Sequence, residues 1–431
     1  MMPPANRRLD LALSIALFAL SAATSVLLDA GVVCPNDGSH YALVRALSDK
    51  HTVIIDEFKS YTRNVDISQR GEHFYSDRAP GTAFAALPFY LVARAAGYSD
   101  EGRQEVCALL SVLAGALAVV LTYRLGRRLG LGTSAAAVAA LTLALCTPHR
   151  TYCTALWSHA LSACLSVLCA FLATPAPGSA EEAPRTPLGR LALGLVSGYA
   201  VAVDYSAAVV SALIVGTVAA DALLRTRARR KPFPWRELLP MGVGLFLGVL
   251  PALVYNTQAF GSPWRTGYSF HVLFPETRSL WTMYSGSFLS GFFGLLFDWR
   301  AGLLLYSPIL ALGMAASFCF AQKLGARRAL VTVLPWVAML LLTAKHATWH
   351  GGGAHDARYL MLVMPFFCLG VGAAYAQATT PRALHLFTAL FLLSALVQIF
   401  KHTIGWLRNP MSLVSDILCT MQYDIDGVHY F

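Results

Sequence analysis

The sequence predicts an all-α polytopic membrane protein, with about eleven transmembrane helices and a large first outer loop that carries interfacial helices. Composition is the first reason: 56% of the 431 residues are hydrophobic and only 13% are charged, against roughly a quarter charged in soluble domains. The second is a series of apolar runs near the length of about 20 residues that crosses a bilayer. The third is charge placement, since short Lys/Arg clusters alternate with those runs as cytoplasmic loops require. Together these exclude an ordinary soluble enzyme. They also make the net charge of +10 an orientation signal, because the basic residues follow no amphipathic face of the kind that binds nucleic acid. The expected partners therefore include a lipid bilayer and no nucleic acid.

The run 11–28, preceded by Arg7 and Arg8, is long enough to span and reads as a retained signal anchor with a cytoplasmic N-terminus. It delivers the most polar stretch of the chain, 29–103, to the outside. Within that stretch 81–97 is apolar but short and interrupted by Pro88 and Arg94, so it reads as an interfacial helix. If it crossed, Arg127, Arg128 and every later basic cluster would face outward, against the positive-inside rule. Spans then fall at 104–124, 134–147, 156–174, 190–203, 206–224 and 238–256. A second outer loop occupies 257–300, and further spans fall at 301–320, 329–343, 359–375 and 384–400.

The low-complexity stretch 174–187 reads as a flexible cytoplasmic linker, and 401–431 as an external tail. No internal repeat is visible, so the chain reads as a single integral membrane domain, 1–431. Nine cysteines show no metal-finger spacing. Three of them, Cys34, Cys153 and Cys419, fall in loops and leave an outer disulfide open without fixing a pair.

The unusual polar residues converge on four outer segments, 29–103, 148–157, 258–300 and 345–358. The first holds Asn36-Asp37-Gly38-Ser39-His40-Tyr41 and then Tyr75-Ser76-Asp77-Arg78-Ala79-Pro80-Gly81. The last holds Trp349-His350-Gly351-Gly352-Gly353 and then Asp356-Ala357-Arg358-Tyr359. With Tyr255-Asn256, Phe260-Gly261-Ser262-Pro263 and Tyr306-Ser307-Pro308, this ordered set resembles the GT-C superfamily of membrane glycosyltransferases. That group includes protein O-mannosyltransferases, aminoarabinose transferases and bacterial lipid-linked-sugar transferases.

The resemblance implies an inverting transfer from a polyprenyl-phosphate sugar donor to a hydroxyl acceptor on a glycan, lipid or protein. It also implies a site at the extracytoplasmic face of a bacterial-type inner membrane. Gly38 departs from the pattern, standing where many relatives carry Glu, which argues against metal coordination by that pair. No metal ligand or cofactor is assigned, and a divalent cation stays open.

In such a reaction the acceptor hydroxyl loses a proton while a phosphate leaves with negative charge, so a carboxylate and a cation are needed. Asp37, in the matching position, is the candidate general base; its other reading is a helix cap. Arg78 is the candidate ligand of the donor phosphate, since a guanidinium grips phosphate through parallel hydrogen bonds. It reads alternatively as a salt bridge to Asp77 or a snorkelling cation. Arg358 is the second phosphate candidate, or an interfacial anchor.

His40, Tyr41, Tyr75, Asp77, His159, Trp349 and His350 are the expected substrate-lining residues. His346, His350, His355 and Asp356 would form a metal site only on a continuous helix, which the glycine triplet opposes. Trp281, Tyr284 and Trp157 fit a membrane-boundary belt better than a sugar platform. Asp204, which would cost about 2.5–3.5 kcal/mol at a lipid-facing helix centre, is expected at a polar cavity or a short turn. Two rival functions are a secondary transporter, which should show repeats and mid-bilayer ionisable groups, and a non-catalytic membrane subunit, favoured by the Gly38 departure.

Overall fold

The computed structural model describes residues 7–27, 31–175, 186–230, 232–299, 301–351 and 356–407. Most of the linker 174–187, Gly352, Gly353, His355, Cys419 and the tail beyond residue 407 lie outside the described residues. Each expected span except that at 301–320 is helical nearly throughout. In chain order these are α1 (Arg7–Val26), then, after the first loop, α4 (Asp100–Arg128), α5 (Thr133–Leu145), α6 (Ser158–Ala173), α7 (Pro187–Val203), α8 (Ala207–Ala228) and α9 (Trp235–Phe260). They continue as α13 (Ile309–Leu324), α14 (Ala326–Thr332) running into α15 (Leu334–Ala344), α16 (Met364–Gln377) and α17 (Pro381–Leu407). Among the described residues, seven helices are long and apolar enough to cross a membrane, and α5, α6, α7 and α13 are shorter apolar helices.

Two features depart from the sequence reading. The span expected at 301–320 breaks into α12 (Leu303–Tyr306) and α13, because Pro308 forces the preceding Ser307 out of the helical region, to φ −142° and ψ 64°. The second loop carries a short α10 (Leu280–Met283) and a strongly apolar α11 (Phe288–Phe297); α11 was not expected, since ten residues fall well short of a span.

The first loop folds as α2 (Pro35–Asp49), a 3-10 turn at Asp56–Thr62, a β-hairpin and α3 (Gly81–Ala95). The hairpin pairs β1 (Ile67–Arg70) with β2 (His73–Ser76) in antiparallel register, Ile67 opposite Ser76, around Gly71 at φ +61°. Helix α3 lies where the interfacial helix was expected. Its first residue is pinned to α7, where the Tyr199 hydroxyl donates to the Gly81 carbonyl at 2.8 Å.

Helices α4 and α16 form the centre, with 67% and 78% of their apolar windows buried, whereas α1 and α17 bury 28% and 22%. The peripheral helices present Leu11, Ile15, Phe246, Leu392 and Leu396 outward, a pattern suited to lipid rather than water. Between α7 and α9 the backbones touch: a Cβ on Gly194 or Gly198 would strike the α9 backbone, and one on Gly244 or Gly248 would strike α7. Small residues spaced four apart on both partners permit this approach where no hydrophobic force drives helices together. Charges inside the bundle are paired. Asp10 accepts from Tyr123 and meets Arg127 at 3.2 Å, and Arg190 meets Glu237.

Candidate functional site

Helix α2 begins with Pro35 just after Cys34, and its first turn holds Asp37. The Asp37 Oδ1 accepts the N–H of Cys34 at 2.8 Å and of Gly38 at 3.0 Å, and Oδ2 accepts that of Val33 at 2.7 Å. The carboxylate thus caps the helix, yet Oδ2 keeps a lone pair for a further donor. Burial pushes this carboxyl up to about 6, against the pull of its N–H partners.

Gly38 has a steric cause. A Cβ there would collide with the Tyr61 carbonyl, so the Glu of the related pattern does not fit this loop. Gly38→Ala is therefore expected to destabilise the protein by about 1–3 kcal/mol, read as a lower thermal unfolding midpoint in detergent; an unchanged midpoint would mean that the α2 contact yields.

The hairpin and the second loop build the seat of Arg78. Its NH2 meets Asp66 Oδ2 at 2.6 Å and its Nε meets Asp77 Oδ2 at 3.2 Å, so the salt-bridge reading of Arg78 is realised. NH1 makes no hydrogen bond among the described residues and stays free to grip an anion. Asp77 is fully buried and accepts from the Ser39 hydroxyl at 3.0 Å. His271 Nδ1 accepts the N–H groups of Leu273 and Phe274, each at 3.1 Å. Its proton therefore sits on Nε2, 3.5 Å from Asp77 Oδ2. Burial pushes the Asp77 carboxyl up, but Arg78 and His271 pull harder and bring it down to about 2.

The Tyr255 hydroxyl donates to the Ser76 carbonyl at 2.9 Å, and Asn256 donates to the Pro263 carbonyl at 3.2 Å. These two residues thus brace the loop behind Asp77. Asp66, Asp77 and His271 offer ligand atoms within 4.8 Å of one another, the spacing a metal ion needs. In this arrangement the guanidinium of Arg78 already bonds both carboxylates. The His346, His350 and Asp356 set does not assemble as a metal group among the described residues.

Two histidines and an arginine from three further elements lie within electrostatic reach of Arg78. His40 lies one turn beyond Asp37 on the same face of α2; it is buried, and neither ring nitrogen has a partner. Burial, and then Arg78, push this imidazole down to about 3, so it is neutral. His159, near the start of α6, stacks on Tyr152 at 4.5 Å and lies within electrostatic reach of Arg358, Arg78 and His40.

Arg358, just before α16, lies within electrostatic reach of Arg78 and has no carboxylate within 4 Å among the described residues. Its Nε is buried without a partner. Arg78, His159 and Arg358 are each half-buried and lie within electrostatic reach of one another. Asp37 itself is fully buried; its neighbour Cys34 is within electrostatic reach of Asp66 and of Tyr152, and the Tyr152 hydroxyl donates to Asp356 at 2.6 Å.

Several expected lining residues sit elsewhere. The Tyr41 hydroxyl donates to Asp100 Oδ1 at 3.0 Å, in a network with Arg45 and Tyr61, because alternate faces of α2 serve the cluster around Arg78 and the packing against α4. Tyr75 packs edge-on against Phe260 at 5.7 Å, as a buried position of β2. The Trp349 ring lies over Gly294 of α11, with His350 beside it at 5.6 Å. Cys34 and Cys153 are free thiols. Asp66, His271 and Tyr268 were missed; Ser68 and Gly267, joined by a 2.6 Å hydrogen bond, are 199 residues apart, and no local pattern announces such a meeting.

No protein-family profile matches the sequence, and no curated protein matches it. Solved structures match its fold. ArnT from Cupriavidus metallidurans bound to undecaprenyl phosphate aligns with a TM-score of 0.58 at 17% identity, over 88% of this chain and 62% of that one. The archaeal oligosaccharyltransferase AglB from Archaeoglobus fulgidus, in complex with an inhibitory peptide and a dolichol-phosphate, aligns with a TM-score of 0.52 at 13% identity, over 92% of this chain and 55% of that one. This chain thus spans less than two thirds of the length of either, and the shared architecture is the GT-C membrane fold.

Proposed function

We propose that this chain, built on the GT-C fold, transfers a sugar from a polyprenyl-phosphate donor to a hydroxyl acceptor with inversion at the anomeric carbon. The observation that carries the reading is that Arg78 and Arg358 lie within electrostatic reach of each other, with NH1 of the first unbonded and no carboxylate within 4 Å of the second among the described residues. Two guanidinium groups enclosed together repel each other unless an anion joins them. A phosphodiester does so, and the orphaned nitrogens of His40 and His159 add donors for its oxygens. The fold neighbours lend support, one being bound to undecaprenyl phosphate and another to a dolichol-phosphate.

In this reading the acceptor oxygen attacks the anomeric carbon as its proton passes to Asp37. The bond from the anomeric carbon to the phosphate oxygen breaks with its electron pair, and Arg78 and Arg358 hold the charge that develops on the leaving lipid phosphate. Asp77 and Asp66 keep Arg78 in place. The site opens at the extracytoplasmic face of a bacterial-type inner membrane, with 29–103 and 257–300 as outer loops and the N-terminus inside. Charge placement supports that orientation: Arg127, Arg128, Arg225, Arg227, Lys323 and Arg327 all fall on the opposite side.

The test uses the full chain in nanodiscs supplied with undecaprenyl-phosphate-linked glucose, mannose or arabinose, with envelope lipids and glycans as acceptors. Release of undecaprenyl phosphate in step with labelled acceptor is expected from at least one donor. Release from none would sink the proposal. Single cysteines introduced in 29–103 should react with an impermeant thiol reagent from the outside; labelling from the cytoplasm alone would overturn the orientation.

A further inference from the structure

We infer that Asp204 and the tyrosines around it form the subsite that holds the donor's sugar ring, with Asp204 accepting hydrogen bonds from its hydroxyls. The inference rests on the reading of the Arg78 and Arg358 cluster as a lipid-phosphate sugar site, and it concerns the side of that site away from the acceptor's base.

Asp204 is the first residue beyond α7, in the short turn to α8. The Ser206 N–H at 2.9 Å and the Ser206 hydroxyl at 2.7 Å both donate to its Oδ1. That pair fixes the plane of the carboxylate and leaves Oδ2 without a hydrogen bond among the described residues. No cation pairs with it directly, although Arg78 lies within electrostatic reach and the Ser162 hydroxyl of α6 stands beside it. Like Arg78, Asp204 is half-buried, and the two lie within electrostatic reach of each other. Ser206 and the neighbouring Ser162 do not use up the acceptor capacity of this half-buried carboxylate, and an ionised carboxylate can only accept. The further partner is therefore a donor group.

Aromatic rings connect this carboxylate to the phosphate end. Tyr268 and Tyr284 are both within electrostatic reach of Asp204 and Tyr359. Tyr284 meets His346 edge-on at 5.5 Å, His346 meets Tyr359 at 5.1 Å, and the Arg358 guanidinium sits 5.3 Å from the Tyr359 ring centroid. A sugar ring can lay its C–H face on such a wall while its hydroxyls reach the carboxylate. An ammonium would bring a third positive charge beside Arg78 and Arg358, so neutral hydroxyls fit better. Asp204 is then a positioning residue that selects the donor by its sugar.

Binding of two probes separates this from the underlying proposal: bare undecaprenyl phosphate, and the tightest binder among its glucosyl, mannosyl and arabinosyl forms. Wild type is expected to bind the sugared lipid about ten- to a hundredfold more tightly than the bare one. Asp204→Ala should erase that preference, leave the affinity for the bare lipid unchanged and keep the thermal midpoint of wild type. Asp204→Asn, which retains an acceptor for Ser206, should fall between. Equal loss for both probes in Asp204→Ala, no loss for either, or a wild type without preference would each overturn the subsite. A wild type that binds neither probe would sink the glycosyl-transfer proposal itself.

Discussion

Asp37→Asn is expected to lower the rate of sugar transfer by about 10²- to 10⁴-fold, the usual contribution of a positioned general base, while undecaprenyl phosphate still binds. The carboxylate is held rigidly by the N–H groups of Val33, Cys34 and Gly38, which is the orientation a base requires. Its proton affinity also suits the task, since burial raises it from 3.8 to about 6. A base works only when ionised, so wild-type activity should fall as pH drops through about 6, and the residual activity of the variant should lack that limb.

Stability runs the other way. The folded carboxyl holds its proton more tightly than the unfolded one, so this contribution is complete below 3.8 and is lost as pH rises through about 6. Asparagine replaces one accepting oxygen by an NH2 group that cannot receive a backbone N–H. Retained lipid binding therefore serves as the control for a folded first loop. A variant with full turnover and an unshifted pH profile would leave Asp37 as a cap and nothing more.

The second large effect contrasts the two arginines. Arg358→Gln removes a guanidinium that has no carboxylate within 4 Å among the described residues, so it orphans no charge and should leave the thermal midpoint unchanged or raised. Its affinity for undecaprenyl phosphate should drop about ten- to a hundredfold, the worth of hydrogen bonds to a charged group. Arg78→Gln should weaken the same binding but also destabilise the fold by about 3–5 kcal/mol, because Asp66 and Asp77 lose their shared counter-ion. If Arg78 were only a strut and Arg358 only a membrane anchor, neither variant would weaken lipid binding, and only Arg78→Gln would lose stability.

The spans and the short α3 helix were legible in the sequence, because apolar length and basic clusters are local signals that the membrane enforces. Arg78, Arg358, His40 and His159 were named from the outer segments of the sequence, and the structure brings them within electrostatic reach of one another. Their surroundings were not legible. His271 reaches Asp77 from a loop nearly two hundred residues on, about the separation that joins Ser68 to Gly267, and nothing near either residue encodes the meeting. Tyr41 and Tyr75 were misread because a helix or strand adjoining a polar site sends alternate residues to the core. Gly38 read from sequence as a departure that speaks against metal coordination and for a non-catalytic subunit, whereas the structure packs the Tyr61 carbonyl against it. The break at Pro308 was visible as a residue, but its effect on α12 and α13 depends on a helix register that periodicity alone does not fix.

The most direct measurement is a structure of the full chain in a nanodisc with undecaprenyl phosphate bound. The account predicts the phosphate between the two guanidinium groups, within hydrogen-bond distance of Arg78 NH1 and of Arg358, with an imidazole of His40 or His159 on a remaining oxygen. A phosphate seated elsewhere, away from Arg78 and Arg358, would contradict it.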